Sequence, residues 1–283
     1  LLKHNIMVAD TDVNMPTAQQ QQVLRVLNDS LTSAMDNIAE ETAVALVYNG
    51  ISHVVMMSTP SDLYDLAMGF SLTEKIVRDA SEILDISASE QELGIELNIT
   101  VTSRAIWRLK QQRRNMTGRT GCGLCGAESL QQAMNNQPTA STSSQSNKQQ
   151  PRELSEVTNQ AIQKAVVSLQ AHQPLQQLTG AVHGAAWCDE SGNIKLIRED
   201  IGRHNALDKL IGALNTSKVD INHSSFVLIS SRASYEMISK AQVAGITMLV
   251  AVSAPTALAI NIAKNTGMTL VGFARNGRHT IYS

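Results

Sequence analysis

Phe226-Val227-Leu228-Ile229-Ser230-Ser231-Arg232-Ala233-Ser234-Tyr235 is the stretch on which the fold class turns. An apolar, partly β-branched run reads as a strand buried on both faces. Small and polar residues then turn the chain, and Tyr235 to Ala244 reads as a helix. The same unit recurs downstream, where Ile246 to Val252 and Thr269 to Phe273 are apolar strands separated by a helix from Thr256 to Asn265. Gly245 and Gly267 stand where helix C-terminal caps belong. Upstream, a helix over Arg203 to Leu214 precedes the first of these strands. Such alternation implies an α/β fold, a largely parallel sheet with helices on both faces, and ligands gathered at the carboxyl ends of the strands.

Before that region, a helix over Val157 to Gln170 leads into strands at Val182 to Cys188 and Ile194 to Arg198, joined by a turn at Asp189 to Asn193. Asn135 to Gln150 contains one Ala, one Pro and otherwise Asn, Gln, Ser, Thr and Lys, too little apolar surface to offset the entropy of ordering. It reads as a flexible linker. The chain therefore divides into a mobile arm over 1–38, a smaller N-terminal α+β subdomain over 39–134, the linker over 135–150, and a C-terminal subdomain over 151–283. Within the smaller subdomain, Val44 to Tyr48 and His53 to Met57 flank the turn dipeptide Asn49-Gly50 as a hairpin. Thr59 can cap a helix with Pro60 in its first turn, and Leu63, Leu66, Ala67 and Phe70 give it one apolar face. Ile95 to Val101 alternates as a half-buried strand, and a basic helix from Arg104 to Arg114 follows.

That helix leads to Gly121-Cys122-Gly123-Leu124-Cys125-Gly126, two thiols three residues apart in a glycine-rich loop. No acidic residue lies between Glu96 and Glu128, while Arg104, Arg108, Lys110, Arg113, Arg114 and Arg119 all do. Positive charge favours a thiolate. A cysteine pKa lowered from about 8.5 toward 7 takes the thiolate from roughly 3% to about half at neutral pH, and the thiolate is the nucleophile. With 283 residues, 43% of them hydrophobic, the chain can bury a real core. Its formal charge of -2 argues against general nucleic-acid binding, so the basic run calls for a specific anionic ligand. Three cysteines make no disulfide framework, and the lack of a signal peptide or an 18-residue apolar span points to the cytosol and to no membrane.

Other chemistries compete for the same residues. A Cys-x-x-Cys knuckle is half of a structural zinc site, but the remaining Cys188 is isolated, and His183 or His204 would have to be recruited from afar. A dithiol oxidoreductase would place its motif at the start of a helix, not in a loop after one. Cys188 itself reads as a small buried hydrophobe. Glu199-Asp200-Ile201-Gly202-Arg203-His204-Asn205 opens a helix after a strand, either as a site or as helix capping by Asp200. Ser230 to Ser234 offers hydroxyls, amides and Arg232 to a phosphate without the Walker pattern. Phe273-Ala274-Arg275-Asn276-Gly277-Arg278 ends a strand with two guanidinium groups beside an aromatic ring, a hairpin turn that also suits a base and its phosphates. His183-Gly184-Ala185 has Ala where zinc deaminases carry their proton-shuttling Glu, so no deaminase chemistry follows.

Gly118 to Gly126, Glu199 to Lys209, Ser230 to Met237 and Gly272 to Arg278 together resemble the FdhD family, sulfur carriers required for formate dehydrogenase activity. The resemblance runs in order from about Val44 to the C-terminus, apart from the linker. It implies a cytoplasmic, homodimeric sulfurtransferase whose C-terminal half has a cytidine-deaminase-like layered sheet. Sulfur would come from a cysteine desulfurase and pass to the molybdenum bis(guanine dinucleotide) cofactor of formate dehydrogenase, with no structural metal. On the motif match, Cys122 bears the persulfide with Cys125 as its partner, and Phe273, Ala274, Arg275, Asn276, Gly277 and Arg278 belong to the cofactor site. Ser231, Arg232, Arg203 and His204 are further candidates beside it.

Overall fold

A computed structural model describes residue 13, residues 15–116, 159–217 and 224–283, with side chains of the basic helix described to residue 111. Residues 18–39, read from sequence as an arm, form an antiparallel ribbon of β1 (Ala18–Leu27) and β2 (Ser30–Ala39) in continuous register from Ala18↔Ala39 to Leu27↔Ser30. Asn28 and Asp29 both take left-handed φ, 47° and 63°, as the two-residue turn of a twisted hairpin requires. The glutamine run hid this ribbon, because its strands carry few of the branched and aromatic residues that signal β structure.

A four-stranded sheet follows: β3 (Thr42–Tyr48), β4 (Ile51–Ser58), β5 (Ile83–Gln91) and β6 (Gly94–Val101), in the order β4-β3-β6-β5. The hairpin turns at Asn49-Gly50 as expected, with φ of 47° and 77°. Strand β5 has no counterpart in the sequence reading. It is an edge strand in which Ile83 and Ile86 alone are buried, so it carries almost no apolar pattern. Helices α1 (Leu63–Thr73) and α2 (Ser103–Met116) cover one face, bringing Leu66, Ala67 and Leu109 against Val44, Leu46, Leu97 and Ile99. Thr59 does not cap α1. The helix begins after Asp62, which has φ 51° and makes no side-chain cap, and Thr59 is buried in other work described below.

The second sheet holds β7 (His183–Cys188), β8 (Ile194–Asp200), β9 (Phe226–Ile229), β10 (Met248–Ala251), β11 (Thr269–Arg275) and β12 (Arg278–Ile281), in the order β12-β11-β10-β9-β7-β8. Only β9, β10 and β11 are mutually parallel, so the largely parallel sheet expected from sequence is instead mixed. The tight turns after β7 and β11 force antiparallel hairpins, and β7 also runs antiparallel to β9. Helix α3 (Asn159–Leu169) covers one face, and the short α4 (Pro174–Thr179) precedes β7. Helices α5 (Arg203–Thr216), α6 (Tyr235–Val243) and α7 (Ala257–Thr266) cover the other. Alternate residues divide accordingly: Val227, Ile229 and Leu249 face the three helices, while Phe226, Leu228 and Val250 face α3. The class is mixed α/β, with helices on both faces of the larger sheet.

Helix α1 joins the two halves by lying against α5. A Cβ built on Gly69 would stand 1.7 Å from the Asp208 carbonyl oxygen, and one on Gly212 would stand 2.0 Å from that of Asp65. Reciprocal glycines thus let the two helix backbones touch. The close crossing fixes how the smaller sheet sits against the six-stranded sheet.

Candidate functional site at the carboxyl edge of the larger sheet

The acidic pair that ends β8 is structural. Asp200 is fully buried, and its Oδ2 receives Lys209 Nζ at 2.6 Å, Ser58 Oγ at 2.6 Å and the Thr59 amide at 3.1 Å. Its Oδ1 accepts from the Gly202 amide and from Asn205 Nδ2. Lys209, equally buried, also donates to the Thr59 carbonyl, and Thr59 Oγ1 accepts from the Ile201 amide. A second cluster lies alongside, where Lys240 Nζ meets Asp208 at 2.9 Å, Glu74 at 2.7 Å and Thr73 Oγ1 at 3.0 Å. Arg198 bridges to Asp62 and Asp65. All three clusters tie the Ser58 to Glu74 segment to the C-terminal half. Glu199 is likewise committed, receiving the Leu175 and Gln176 amides at the start of α4. Of the Glu199 to Asn205 constellation, Asp200 does not cap the helix that follows it, since it is spent on the buried cluster and Gly202 holds the N-cap, which leaves Arg203 and His204 for chemistry.

Those two residues open α5, where Gly202 at the N-cap offers no side chain to the first-turn amides. Ser234 stands at the N-cap of α6 and makes no cap hydrogen bond either. His204 Nε2 lies 3.0 Å from Glu236 Oε2 in the first turn of α6, so the two helix starts adjoin. Arg203 Nε and Ser234 Oγ are shut off from solvent without a hydrogen-bond partner, and His204 Nε2, also shut off, has only Glu236 beside it. Buried Gln173, whose side chain fills the space a Cβ on Gly184 would need, has an unpartnered Nε2 as well. Each unmade buried hydrogen bond costs about 1–3 kcal/mol, so several in one place mark a site that a ligand would complete. Burial holds the His204 imidazole below its ordinary pKa, helped by Arg203 and Lys240 and opposed by Glu236. Burial, then Arg203, lowers His183 at the start of β7. Arg203 thus disfavours the charged form of both rings.

The neighbouring strand ends complete the edge. Ser230 Oγ accepts from the Gly184 amide, the Ala233 amide donates to the Ala254 carbonyl, and the Phe273 amide donates to the Ser253 carbonyl. Ser231 is buried with its hydroxyl on the Arg232 carbonyl, whereas Arg232 is exposed. Phe273 has φ 50°, an outlier for a bulky residue, sits at a bulge and is 39% exposed. From the end of β9 to that of β11 is two strand spacings, roughly 10 Å. The candidates then part company. Ala274 is buried in the core against α3. Arg275, Asn276, Gly277 and Arg278 form the exposed β11–β12 turn, which α3 anchors: Gln163 receives the Gly277 amide, and Gln163 and Asn159 bond His279. The fold thus brings Arg203, His204, Ser231, Arg232 and Phe273 to one edge and sets the two turn arginines in an exposed turn anchored by α3. Ser234 lies within the Ser230 to Ser234 phosphate candidate read from sequence, whereas sequence reasoning missed Glu236 as a member of the edge. A serine before a helix signals a cap, and nothing in sequence shows that its hydroxyl is left free.

Cys122 and Cys125 lie outside the described residues. Of the cations that precede them, Arg104 and Lys110 are exposed, while Arg108 is paired with Glu82 from β5's flank. Cys188 is buried among Ile162, Phe226 and Val250, and burial pushes its thiol up to about 12. It packs, as its isolation suggests, and carries no thiolate at neutral pH. Among the described residues no three His, Cys, Asp or Glu side chains converge as a metal site, and no helix is long and apolar enough to cross a membrane.

Comparison with known proteins places this architecture. A model of the FdhD/NarQ family matches residues 39–283. The sulfur carrier protein FdhD of Cupriavidus necator is 49% identical over 273 residues, covering 96% of this chain and 90% of that protein. FdhD of Acinetobacter baylyi is 46% identical over 248 residues, covering 88% and 86%. The crystal structure of a protein assigned as a formate dehydrogenase accessory protein from Desulfotalea psychrophila superposes with a TM-score of 0.68 at 20% identity, covering 95% of this chain and 97% of that one. By extent and identity of these matches, the chain belongs to the FdhD/NarQ family.

Proposed function

We propose that this protein is a cytoplasmic sulfurtransferase that takes persulfide sulfur from a cysteine desulfurase onto Cys122 and delivers it to the molybdenum bis(guanine dinucleotide) cofactor destined for formate dehydrogenase. Relatives named as sulfur carriers support the sulfur chemistry. One structural observation supports the anionic acceptor: the unpartnered Arg203 Nε and Ser234 Oγ beside two helix N-termini that no side chain caps. Uncapped first-turn amides and a guanidinium suit phosphate oxygens, and the half-exposed Phe273 ring suits a guanine. Arg275 and Arg278 would reach the cofactor from the turn.

In the loading step, the Cys122 thiolate attacks the outer sulfur of the donor persulfide. The donor's S–S bond breaks, its thiolate leaves, and Cys122 carries the persulfide. Release of that sulfur as sulfide requires two electrons. The Cys125 thiol supplies them by closing a disulfide with Cys122, and an external dithiol reductant reopens it. Intact mass after incubation with a cysteine desulfurase and cysteine should show a gain of about 32 Da that dithiothreitol removes. Full labelling of Cys122→Ala would overturn the assignment, and Cys188→Ala should load as the wild type does.

A further inference from the structure

Helix α2 turns Ala105 and Leu109 into the smaller core and holds Trp107 on its opposite side. At about 100° per residue, Trp107 stands half a turn from the midpoint of that buried pair, so the helix itself sets the ring outward. Trp107 is 62% exposed, whereas the chain's other tryptophan, Trp187, is 2% exposed. Arg104 and Lys110 lie one turn to either side of it, both exposed, and among the described residues neither makes an ion pair. No acidic residue occurs anywhere in α2. Arg108, on the flank, is spent on Glu82 and the Ile76 carbonyl, which pins the helix in place. A large indole fixed between two free cations is poorly suited to water. It is well suited to a partner, since tryptophan and arginine carry much of the energy of protein interfaces.

We propose that this face of α2 docks an acidic surface of the protein that donates the sulfur, with the indole in an apolar cleft there and Arg104 and Lys110 against carboxylates. The inference rests on the sulfurtransferase reading. Charge selects the kind of partner: two cations beside an indole match a carboxylate-rimmed protein surface, whereas a nucleic acid calls for more phosphate contacts and suits a net charge of -2 badly. Position selects the donor. Cys122 follows Met116, the last residue of α2, by six residues, a tether of at most about 20 Å. Loading requires another protein to come to that thiol, while delivery goes to a cofactor at the carboxyl edge of the other half.

Loading of the full chain from two sulfur sources, followed by intact mass, tests it. One source is a cysteine desulfurase with cysteine, and the other is glutathione persulfide, which needs no docking. Trp107→Ala should weaken calorimetric binding of the desulfurase, and lower kcat/KM for loading from it, by about tenfold or more. Its loading from glutathione persulfide should match the wild type. Arg104→Glu/Lys110→Glu should weaken desulfurase binding by about tenfold at low salt and by less at high salt, where surface charge is screened. Urea midpoints should stay at the wild-type value, because all three side chains are exposed. If the charge-reversed pair fails to fold, Arg104→Ser/Lys110→Ser takes its place. Desulfurase-dependent loading that Trp107→Ala leaves unchanged overturns the proposal. So does a loss shared by both sources, which places the effect on the thiolate, or oligonucleotide binding that falls in these variants while desulfurase binding holds. A wild type that neither source loads removes the sulfurtransferase reading itself, and this docking with it.

Discussion

The seam between the two sheets and the carboxyl edge of the larger one are built from the same short segment, yet they treat polar groups in opposite ways. Asp200, Asn205, Asp208 and Lys209 turn inward, where the two carboxylates and the lysine are buried and all four side chains have partners. Arg203 and His204, interleaved with them on α5, turn to the edge, where Arg203 Nε has no partner and His204 meets only Glu236 of α6. A satisfied buried cluster holds structure together, whereas an unsatisfied one is an incomplete binding site. The contrast predicts that substitutions a few residues apart will fail in different assays.

Breaking the seam should have the largest effect. Lys209→Met leaves Asp200 buried without its counter-charge and should cost about 3–5 kcal/mol in urea unfolding. Asp200→Asn/Lys209→Met removes both charges and should recover much of that loss. A wild-type midpoint for Lys209→Met would mean that Ser58, the Thr59 amide and Asn205 suffice, and the seam would lose its central role.

At the edge, Arg203→Ala should leave unfolding within about 0.5 kcal/mol of the wild type, because that side chain completes no internal bond through Nε. Its loss should weaken binding of guanosine diphosphate by about 1.5–3 kcal/mol, tenfold or more, in calorimetry. Arg278→Ala should weaken the same binding less, since its turn is anchored to α3 rather than to α5 or α6. An Arg203→Ala protein that unfolds as readily as Lys209→Met would erase the distinction between seam and edge.

Sequence alone exposed the part of this arrangement that periodicity and capping signals encode. The apolar strands β9 to β11, the hairpin at Asn49-Gly50, helix α5 and the glycine caps at Gly245 and Gly267 stand where local pattern placed them. What eluded it depends on partners distant in the chain. Thr59 reads as a cap by neighbourhood, but Ile201 and Lys209, over 140 residues away, decide its role. Gly69 and Gly212 look like weak points in helices until α1 and α5 touch through them. The antiparallel position of β7 beside β9 is a long-range pairing that leaves no local trace. For the candidate site, Arg203, His204, Ser231, Arg232 and Phe273 were legible as polar or aromatic residues at strand ends. Separating them from Asp200 and Glu199 required knowing which way each side chain turns.

The smallest expected effect concerns protons at the edge. Burial lowers the pKa of His204 and His183, with Arg203 reinforcing both, Lys240 adding to His204, and Glu236 and Asp200 opposing at His204 and His183 respectively. A histidine whose folded pKa lies below the unfolded value of about 6.5 binds fewer protons when folded. Its contribution to stability is therefore complete above about 6.5 and is lost as pH falls below it. The imidazole resonances of His204 should titrate below 6.5 in the free protein. Guanosine diphosphate should raise that midpoint, because phosphate charge near Arg203 favours the imidazolium. By linkage, the nucleotide must then bind more tightly as pH falls through the His204 transition, and His204→Gln should flatten that dependence. A free-protein midpoint at or above 6.5, or one that nucleotide leaves unmoved, would remove His204 from the anion site while leaving Arg203 and Ser234 to be tested on their own.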